Sequence, residues 1–367
     1  MKIGLVRRGY SATGGAEAYL KRFARALREA GHECLLFTSA DWPASEWPDG
    51  EIEVIPGRSP KAFAAALERA RPRMRPHGAC DYLFSLERIY ACDAYRAGDG
   101  VHRAWLKRRD AFEPAWKRWT RGFNPKHRQL LELEARLFSN DGAGIVIANC
   151  RMVKDEIVRE YGYPPSRIHV VYNGLPPMPR VEPGRREALR AEWGLSEGDT
   201  AVFFAGSGWE RKGLRAAVEA VNRMRGRPVL IVAGKGDPKA YGGSTARVRF
   251  LGPVKNMPAC YAAADVFLLP TFYDPFSNAC LEALAAGLPV VTTSANGVSE
   301  VLGACGDVIA NPADSGAIAR ALEGWTDPER RAAIRPRLGE LASRFTIEAN
   351  VKATLAAMGT NSAKPLV

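Results

Sequence analysis

The chain has 367 residues, 46% apolar and 25% charged, with a formal net charge of +12 at pH 7. That composition excludes a disordered or fibrous chain and gives length for two domains of roughly 150–200 residues. No apolar run reaches the roughly 18–20 residues of a membrane span, and seven scattered cysteines without CxxC or Cys/His spacing predict reduced, buried thiols and no metal site.

The basic balance favours an anionic partner: a nucleotide, a phosphorylated glycan, an acidic lipid surface or nucleic acid. The opening MetLysIleGlyLeuVal is too short for a signal peptide and reads as a first strand over 2–6. A turn with Gly14 and Gly15, a helix to about Ala30 and a strand from His32 to Thr38 follow, a Rossmann-type start. Gly14-Gly15 would let the backbone approach an anion, or serve as a purely structural turn. The turn lacks GxGxxG, which weakens a dinucleotide reading.

Ile52–Pro56 and Tyr82–Ser85 read as strands, with a helix from Pro60 to Arg71 between them. Residues 87–106 are crowded with titratable side chains. Asp99 and His102 flank Gly100 just past an expected strand end, where open α/β sheets gather ligand-facing residues. Both are candidate catalytic residues; the plainer alternative is an exposed loop. Residues 103–128 hold nine Lys/Arg, two acids, three Trp and two Phe. Tryptophan among cations suits an anionic membrane surface. A helical excursion with a solvated basic face fits the same residues, and a single-stranded nucleic-acid site is a weaker match.

Gln129–Leu137 and Arg151–Tyr161 are expected helices around a buried strand, Ala143–Asn149. ValTyrAsnGly, ending at Gly174, closes the first half, and Pro176, Pro177, Pro179 and Pro183 mark a linker. The second half restarts with a strand at 201–205, a turn through Gly206 and a helix to about Met224. Arg211 and Lys212 at that loop–helix boundary could clamp a diphosphate, Arg by its planar fork and Lys as a point charge; a solvated basic turn is the alternative.

Strands at 228–234, 248–252 and 265–270 lead into ThrPheTyrAspProPheSerAsnAlaCysLeuGluAlaLeuAlaAlaGlyLeuProValValThrThr, 271–293. It reads as loop, helix, turn at Gly287 and buried strand. Asp274 and Glu282 stand eight apart, about 12 Å along a helix. Between them lies a helix N-terminus that favours an anion. Two carboxylates for hydroxyls around an anion site describe a nucleotide-diphosphate sugar; two solvated acids fit the spacing too. Closing helices run from Asp314 to Trp325 and on to about Met358.

The Asp274–Glu282 spacing with AlaLeuAlaAlaGlyLeuProValVal, the ArgLysGly turn, GlyGlyAlaGlu near the N-terminus and ValTyrAsnGly resemble the retaining family-4 glycosyltransferases. The resemblance implies α/β architecture with two Rossmann-like domains facing each other across a cleft (GT-B). The acceptor domain would be 1–174, the linker 175–184 and the donor domain 185–344, with a final helix from about 345 packing back on the first. It assigns the donor sugar to Asp274, the ribose to Glu282, the diphosphate to Arg211 and Lys212 beside Gly206, and the base to the backbone of Val254 and Lys255. The N–H groups of Phe276 and Ser277 would face sugar or phosphate, and Gly14 and Gly15 would lie over donor and acceptor. Two departures stand out: Asp274 where the family usually has Glu, and Ser207 where an Arg is often found.

The 87–106 stretch resembles lipopolysaccharide-core glucosyltransferases, which places Asp99 near the acceptor; His102 rests on the residue reading alone. The implied activity is retaining, metal-independent transfer of a hexose, glucose first, from a UDP-sugar to a phosphorylated lipopolysaccharide-core or related glycan, with no cofactor. The implied enzyme is cytoplasmic, held to the inner face of the membrane through residues 103–128, with no nucleic-acid partner. A nucleotide-sugar epimerase or dehydrogenase, and a basic nucleic-acid-binding protein, are the alternatives.

Overall fold

The computed structural model describes residues 1–11, 15–40, 42–47, 50–74, 79–110, 112–113 and 124–359. The expectation for Gly14, and that for residues 114–123 of the basic tract, lie outside the described residues. The chain forms two compact units, Met1–Gly174 with the chain from Ile347 onward, and Leu175–Thr346.

The first unit runs β1 (Lys2–Val6), α1 (Gly15–Glu29), β2 (Glu33–Thr38), β3 (Glu51–Val54), α2 (Pro60–Met74), β4 (Tyr82–Ser85), β5 (Cys92–Ala97), α3 (His102–Arg109), α4 (Pro125–Leu137), β6 (Ala143–Ala148), α5 (Arg151–Tyr161) and β7 (Ile168–Val170). Its seven strands are parallel in the order β3-β2-β1-β4-β5-β6-β7. The second unit runs α6 (Arg185–Glu192), β8 (Thr200–Ala205), α7 (Leu214–Arg223), β9 (Pro228–Ala233), β10 (Val248–Gly252), α8 (Met257–Ala263), β11 (Val266–Leu269), α9 (Asn278–Ala285), β12 (Val290–Thr293), α10 (Ser299–Leu302), β13 (Gly306–Ile309), α11 (Ser315–Gly324) and α12 (Pro328–Ser343). Its six strands are parallel in the order β10-β9-β8-β11-β12-β13. Both are doubly wound, and strand order reverses at β1 and at β8. A crevice for ligands opens outside the carboxyl ends of the strands at such a reversal.

Every residue of β8 and β9 is buried, as parallel strands covered by helices on both faces require. β5 does not stand out as an apolar run, because CysAspAlaTyrArgAla carries two charges. The structure gives each of them a partner. Asp93 accepts the Leu83 N–H at 2.7 Å, while Arg96 donates to Asn173 at 2.6 Å and lies 3.8 Å from the centre of the Tyr19 ring.

The last helix, α13 (Ile347–Ala357), belongs to the first unit although the whole second unit precedes it. Its Ile347, Val351 and Leu355 enter the core with Tyr19, Leu20, Phe23 and Leu27 of α1. Asn350 pins it, accepting from the Tyr19 hydroxyl at 2.8 Å and donating to the Tyr172 carbonyl at 2.6 Å.

Candidate active site

In the second unit the turn after β8 and the loop after β11 meet at the strand-order reversal. Gly206 takes φ +136°, and a Cβ there would lie 2.7 Å from Cε and Nζ of Lys212. The lysine therefore lies directly over a backbone that only glycine leaves open. Trp209 anchors the turn: its indole N–H donates to the Gly206 carbonyl at 2.9 Å, and its ring sits 5.4 Å from Phe250 and 5.7 Å from Tyr241. On the other side the Arg211 carbonyl accepts from Phe272 N–H at 2.9 Å and the Thr271 hydroxyl at 3.1 Å. The Arg211 guanidinium donates to the Tyr273 carbonyl.

These bonds bring Lys212 Nζ to 3.6 Å and Arg211 Nη1 to 3.9 Å from Asp274 Oδ2. Asp274 is 9% exposed. Two cations on one carboxylate leave a positive excess at the crevice, the electrostatics an anionic ligand needs.

The Asp274 loop is strapped to the turn after β12. Asp274 N–H donates to the Ala295 carbonyl at 3.0 Å, and its own carbonyl accepts from Gly297 N–H at 2.9 Å. Fully buried Asn296 completes the strap: Oδ1 accepts from Ser277 N–H at 3.3 Å and Val298 N–H at 3.2 Å, and Nδ2 donates to Thr292 Oγ1 at 3.0 Å and Cys280 Sγ at 3.3 Å. The expectation that Ser277 N–H faces a ligand is corrected here, because that hydrogen is spent on Asn296. Ser277 instead caps α9, its hydroxyl accepting from Cys280 N–H at 3.4 Å. The Phe276 side chain is buried, 6.0 Å from the Phe345 ring. Burial pushes the Cys280 thiol up to about 12, so it is no nucleophile at neutral pH.

Glu282, half-buried on α9, accepts from the Tyr261 hydroxyl at 2.9 Å. Half-buried Val254 and exposed Lys255 lie in the segment between the carboxyl end of β10 and α8, the helix that carries Tyr261. Asn296, Tyr261 and Trp209 are residues that sequence reasoning missed. The AsnGly pair just past a buried strand was a usable signal for Asn296.

In the first unit Asp99 follows β5. Its half-exposed carboxylate lies 3.7 Å from Arg7 Nη1 and 3.9 Å from Arg88 Nη1. Arg7, just after β1, also reaches Glu17 at 3.2 Å and Glu87 at 3.5 Å. Burial raises the Glu87 carboxyl above the usual range, opposed first by Arg7.

His102 does not join Asp99. Its backbone N–H donates to Glu134 Oε1 at 2.6 Å, and its Nε2 lies 3.0 Å from His127 Nδ1. Fully buried Glu134 also accepts from Arg88 Nε at 2.9 Å, Arg103 N–H at 3.2 Å and the Tyr161 hydroxyl at 2.6 Å. Burial first, then the Arg88 charge, pushes His102 down to about 4. The imidazole is neutral at pH 7 and fastens α3 to α4, which removes the geometric case for a catalytic pair with Asp99. Gly15 is the first residue of α1. Among the described residues, no group of three or more His, Cys, Asp or Glu is placed to hold a metal ion.

Comparison with known proteins places this geometry. The family model "Glycosyltransferase Family 4" matches residues 13–177, and "Glycosyl transferases group 1" matches residues 199–327. A probable transglycosylase of Burkholderia thailandensis is 29% identical over 355 residues, covering 93% of this chain and 91% of the relative. The D-inositol 3-phosphate glycosyltransferase 2 of Catenulispora acidiphila is 28% identical, covering 94% and 90%. The lipopolysaccharide glucosyltransferase WaaG of Escherichia coli is 23% identical, covering 83% of each.

Among solved structures, WaaG superposes with TM-score 0.78 at 20% identity, covering 98% of this chain and all of that one. Anabaena HepE in complex with UDP and glucose gives 0.75 at 18%, with the same coverage. Each of the two doubly wound units thus carries a glycosyltransferase domain, and the chain is a glycosyltransferase of the GT-B fold.

Proposed function

We propose that the protein transfers a hexose, glucose first, from a UDP-sugar to a phosphorylated lipopolysaccharide-core or related glycan. Transfer retains the anomeric configuration and uses neither a metal nor a cofactor. The observation that carries this reading is the convergence of Lys212 and Arg211 on Asp274 at the strand-order reversal of the second sheet. Bond cleavage to the sugar leaves negative charge on the departing diphosphate. Cations already fixed by the backbone stabilise that charge without reorganising as it develops.

Asp274 would accept from a hydroxyl of the transferred sugar, Glu282 from the ribose, and the backbone of Val254 and Lys255 would meet the base. Asp99, held by Arg7 and Arg88, is the first unit's candidate for acceptor contact. The similar structures of HepE in complex with UDP and glucose and with UDP-glucose support the donor. The name of the WaaG relative supports a lipopolysaccharide acceptor. The relatives named D-inositol 3-phosphate glycosyltransferase favour a second reading of the acceptor, a small sugar phosphate. The enzyme would work at the cytoplasmic face of the membrane, attached through residues 103–128.

A thermal-shift panel of UDP-, ADP- and GDP-sugars tests the donor. Saturation at 100 times Kd stabilises by about 2.7 kcal/mol, so UDP-glucose should raise the melting temperature by several degrees. A flat response to every nucleotide sugar would overturn the reading. NMR of the product anomer, with and without EDTA, tests retention and metal independence.

A further inference from the structure

On the donor reading, Glu282 recognises the ribose, yet it is a flexible side chain only half-buried on α9. A carboxylate discriminates hydroxyls well only when its plane is fixed, because freezing a mobile side chain on binding costs affinity. The structure supplies a fixing group. Tyr261 on α8 is 0% exposed, and its hydroxyl donates to Glu282 Oε2 at 2.9 Å. Phe203 and Phe267 hold the tyrosine ring, with centroids 5.2 and 5.8 Å away, so the phenol has no room to swing aside. Burial, and then the Glu282 charge, raise the phenol well above its ordinary value, so it remains a donor throughout the neutral range.

A carboxylate has about four acceptor positions. Tyr261 takes one and thereby sets the direction of the rest. The same short helix starts at the Val254–Lys255 segment, where Asn256 Oδ1 accepts from Ala259 N–H at 3.2 Å. One helix therefore links the segment assigned to the base with the acid assigned to the ribose.

We infer that Tyr261 is a positioning residue for nucleoside recognition: its hydroxyl orients Glu282 so that a ribonucleoside diphosphate is selected over its 2′-deoxy counterpart. The inference rests on the donor reading above.

Tyr261→Phe keeps the ring and its packing and removes only the hydroxyl. Calorimetry on the full chain with UDP and with 2′-deoxy-UDP, alongside thermal melts, compares wild type, Tyr261→Phe, Glu282→Gln and Glu282→Asp. The wild type should prefer UDP. Tyr261→Phe should weaken UDP about tenfold and 2′-deoxy-UDP by no more than about twofold, collapsing the preference while the melting temperature stays within a few degrees. Glu282→Asp withdraws the carboxylate from the phenol without touching the aromatic cluster and should show the same collapse, even if Tyr261→Phe fails to fold.

Full preference in Tyr261→Phe or in Glu282→Asp, with Glu282→Gln losing it, would make Tyr261 a packing residue only and overturn the inference. A preference unchanged in Glu282→Gln, or absent from the wild type, would sink the ribose role of Glu282 and the inference with it. Raised melting temperatures with UDP-glucose would in that case still leave the donor reading standing.

Discussion

Lys212 is nearly buried, yet it lies over a glycine and touches a carboxylate rather than an apolar core. Its charge therefore matters to a ligand more than to the fold. Lys212→Ala should weaken UDP binding by about 100-fold, roughly one charge-assisted contact, with a melting temperature moved by a few degrees at most. Calorimetry showing wild-type affinity would remove Lys212 from the diphosphate site. Gly206→Ala makes a sharper test. Its Cβ would fall 2.7 Å from the lysine's Nζ at φ +136°, so both melting temperature and UDP affinity should drop. Asn296 acts on stability. Asn296→Ala leaves the buried Ser277 and Val298 N–H groups unpaired, at about 1–3 kcal/mol each, and urea denaturation should show a loss of about 2–6 kcal/mol.

Between elements, the His102–His127 contact ties α3 to α4, with Arg88, Arg109 and Glu134 as the other charged neighbours acting on His102. The folded value of about 4 lies below the ordinary histidine value of 6.5, so the unfolded chain takes up this proton first. The stability it contributes is fully present above about pH 6.5 and is lost as pH falls toward 4. His102→Gln should flatten that slope by on the order of 2 kcal/mol between pH 7 and 4.5, read from urea midpoints. Equal slopes would show that His102 titrates normally.

Elements with a strong pattern were legible in the sequence: the all-buried β8 and β9, and the helix between the Ser277 cap and Gly287. Elements that break the pattern were not. α8 is only seven residues long with a proline in its first turn, β13 begins on a glycine, and of β5, whose charges are turned to partners, only the end before Asp99 was expected. At the site, the Arg211–Lys212–Asp274 grouping was legible because Lys212 precedes Gly213 and Asp274 precedes Pro275, which mark their loops, and Arg211 adjoins Lys212. The AsnGly pair marked the turn at Asn296 but not its bonds, and Tyr261 had no mark at all, since nothing in a single sequence says which buried polar side chain reaches across to which loop. The surroundings of His102 were hidden for the same reason: Glu134 and His127, which contact it, lie 32 and 25 residues away.

For the whole molecule, the basic tract predicts behaviour that no single element does. Each cation near an anionic surface is worth about 1 kcal/mol, and three or four acting together give weak, reversible attachment. The protein should co-sediment with phosphatidylglycerol vesicles at low salt, release at high salt and ignore neutral vesicles. Changing Trp116, Lys117, Arg118 and Trp119 together should abolish this while leaving UDP binding intact. Equal sedimentation with both lipids would refute the electrostatic attachment.

The place of α13 sets an order in time. A ribosome makes the chain from its N-terminus, so residues 175–346 are all synthesised, and emerge, ahead of the last helix. Until then Tyr19, Leu20, Phe23 and Leu27 lack the cover of Ile347, Val351 and Leu355. The later unit can therefore finish first, while the earlier one waits, sticky, for the final dozen residues of its own core. The inserted unit is also closed at its base, where Leu175 N–H donates to the Phe345 carbonyl at 2.9 Å. Residues 175–346 made alone should melt cooperatively and bind UDP, whereas 1–174 alone should bind a hydrophobic dye and aggregate. Joining Gly174 to Ile347 through a short linker should restore a soluble first unit, and nascent chains stalled before residue 347 should recruit chaperones that full-length chains release.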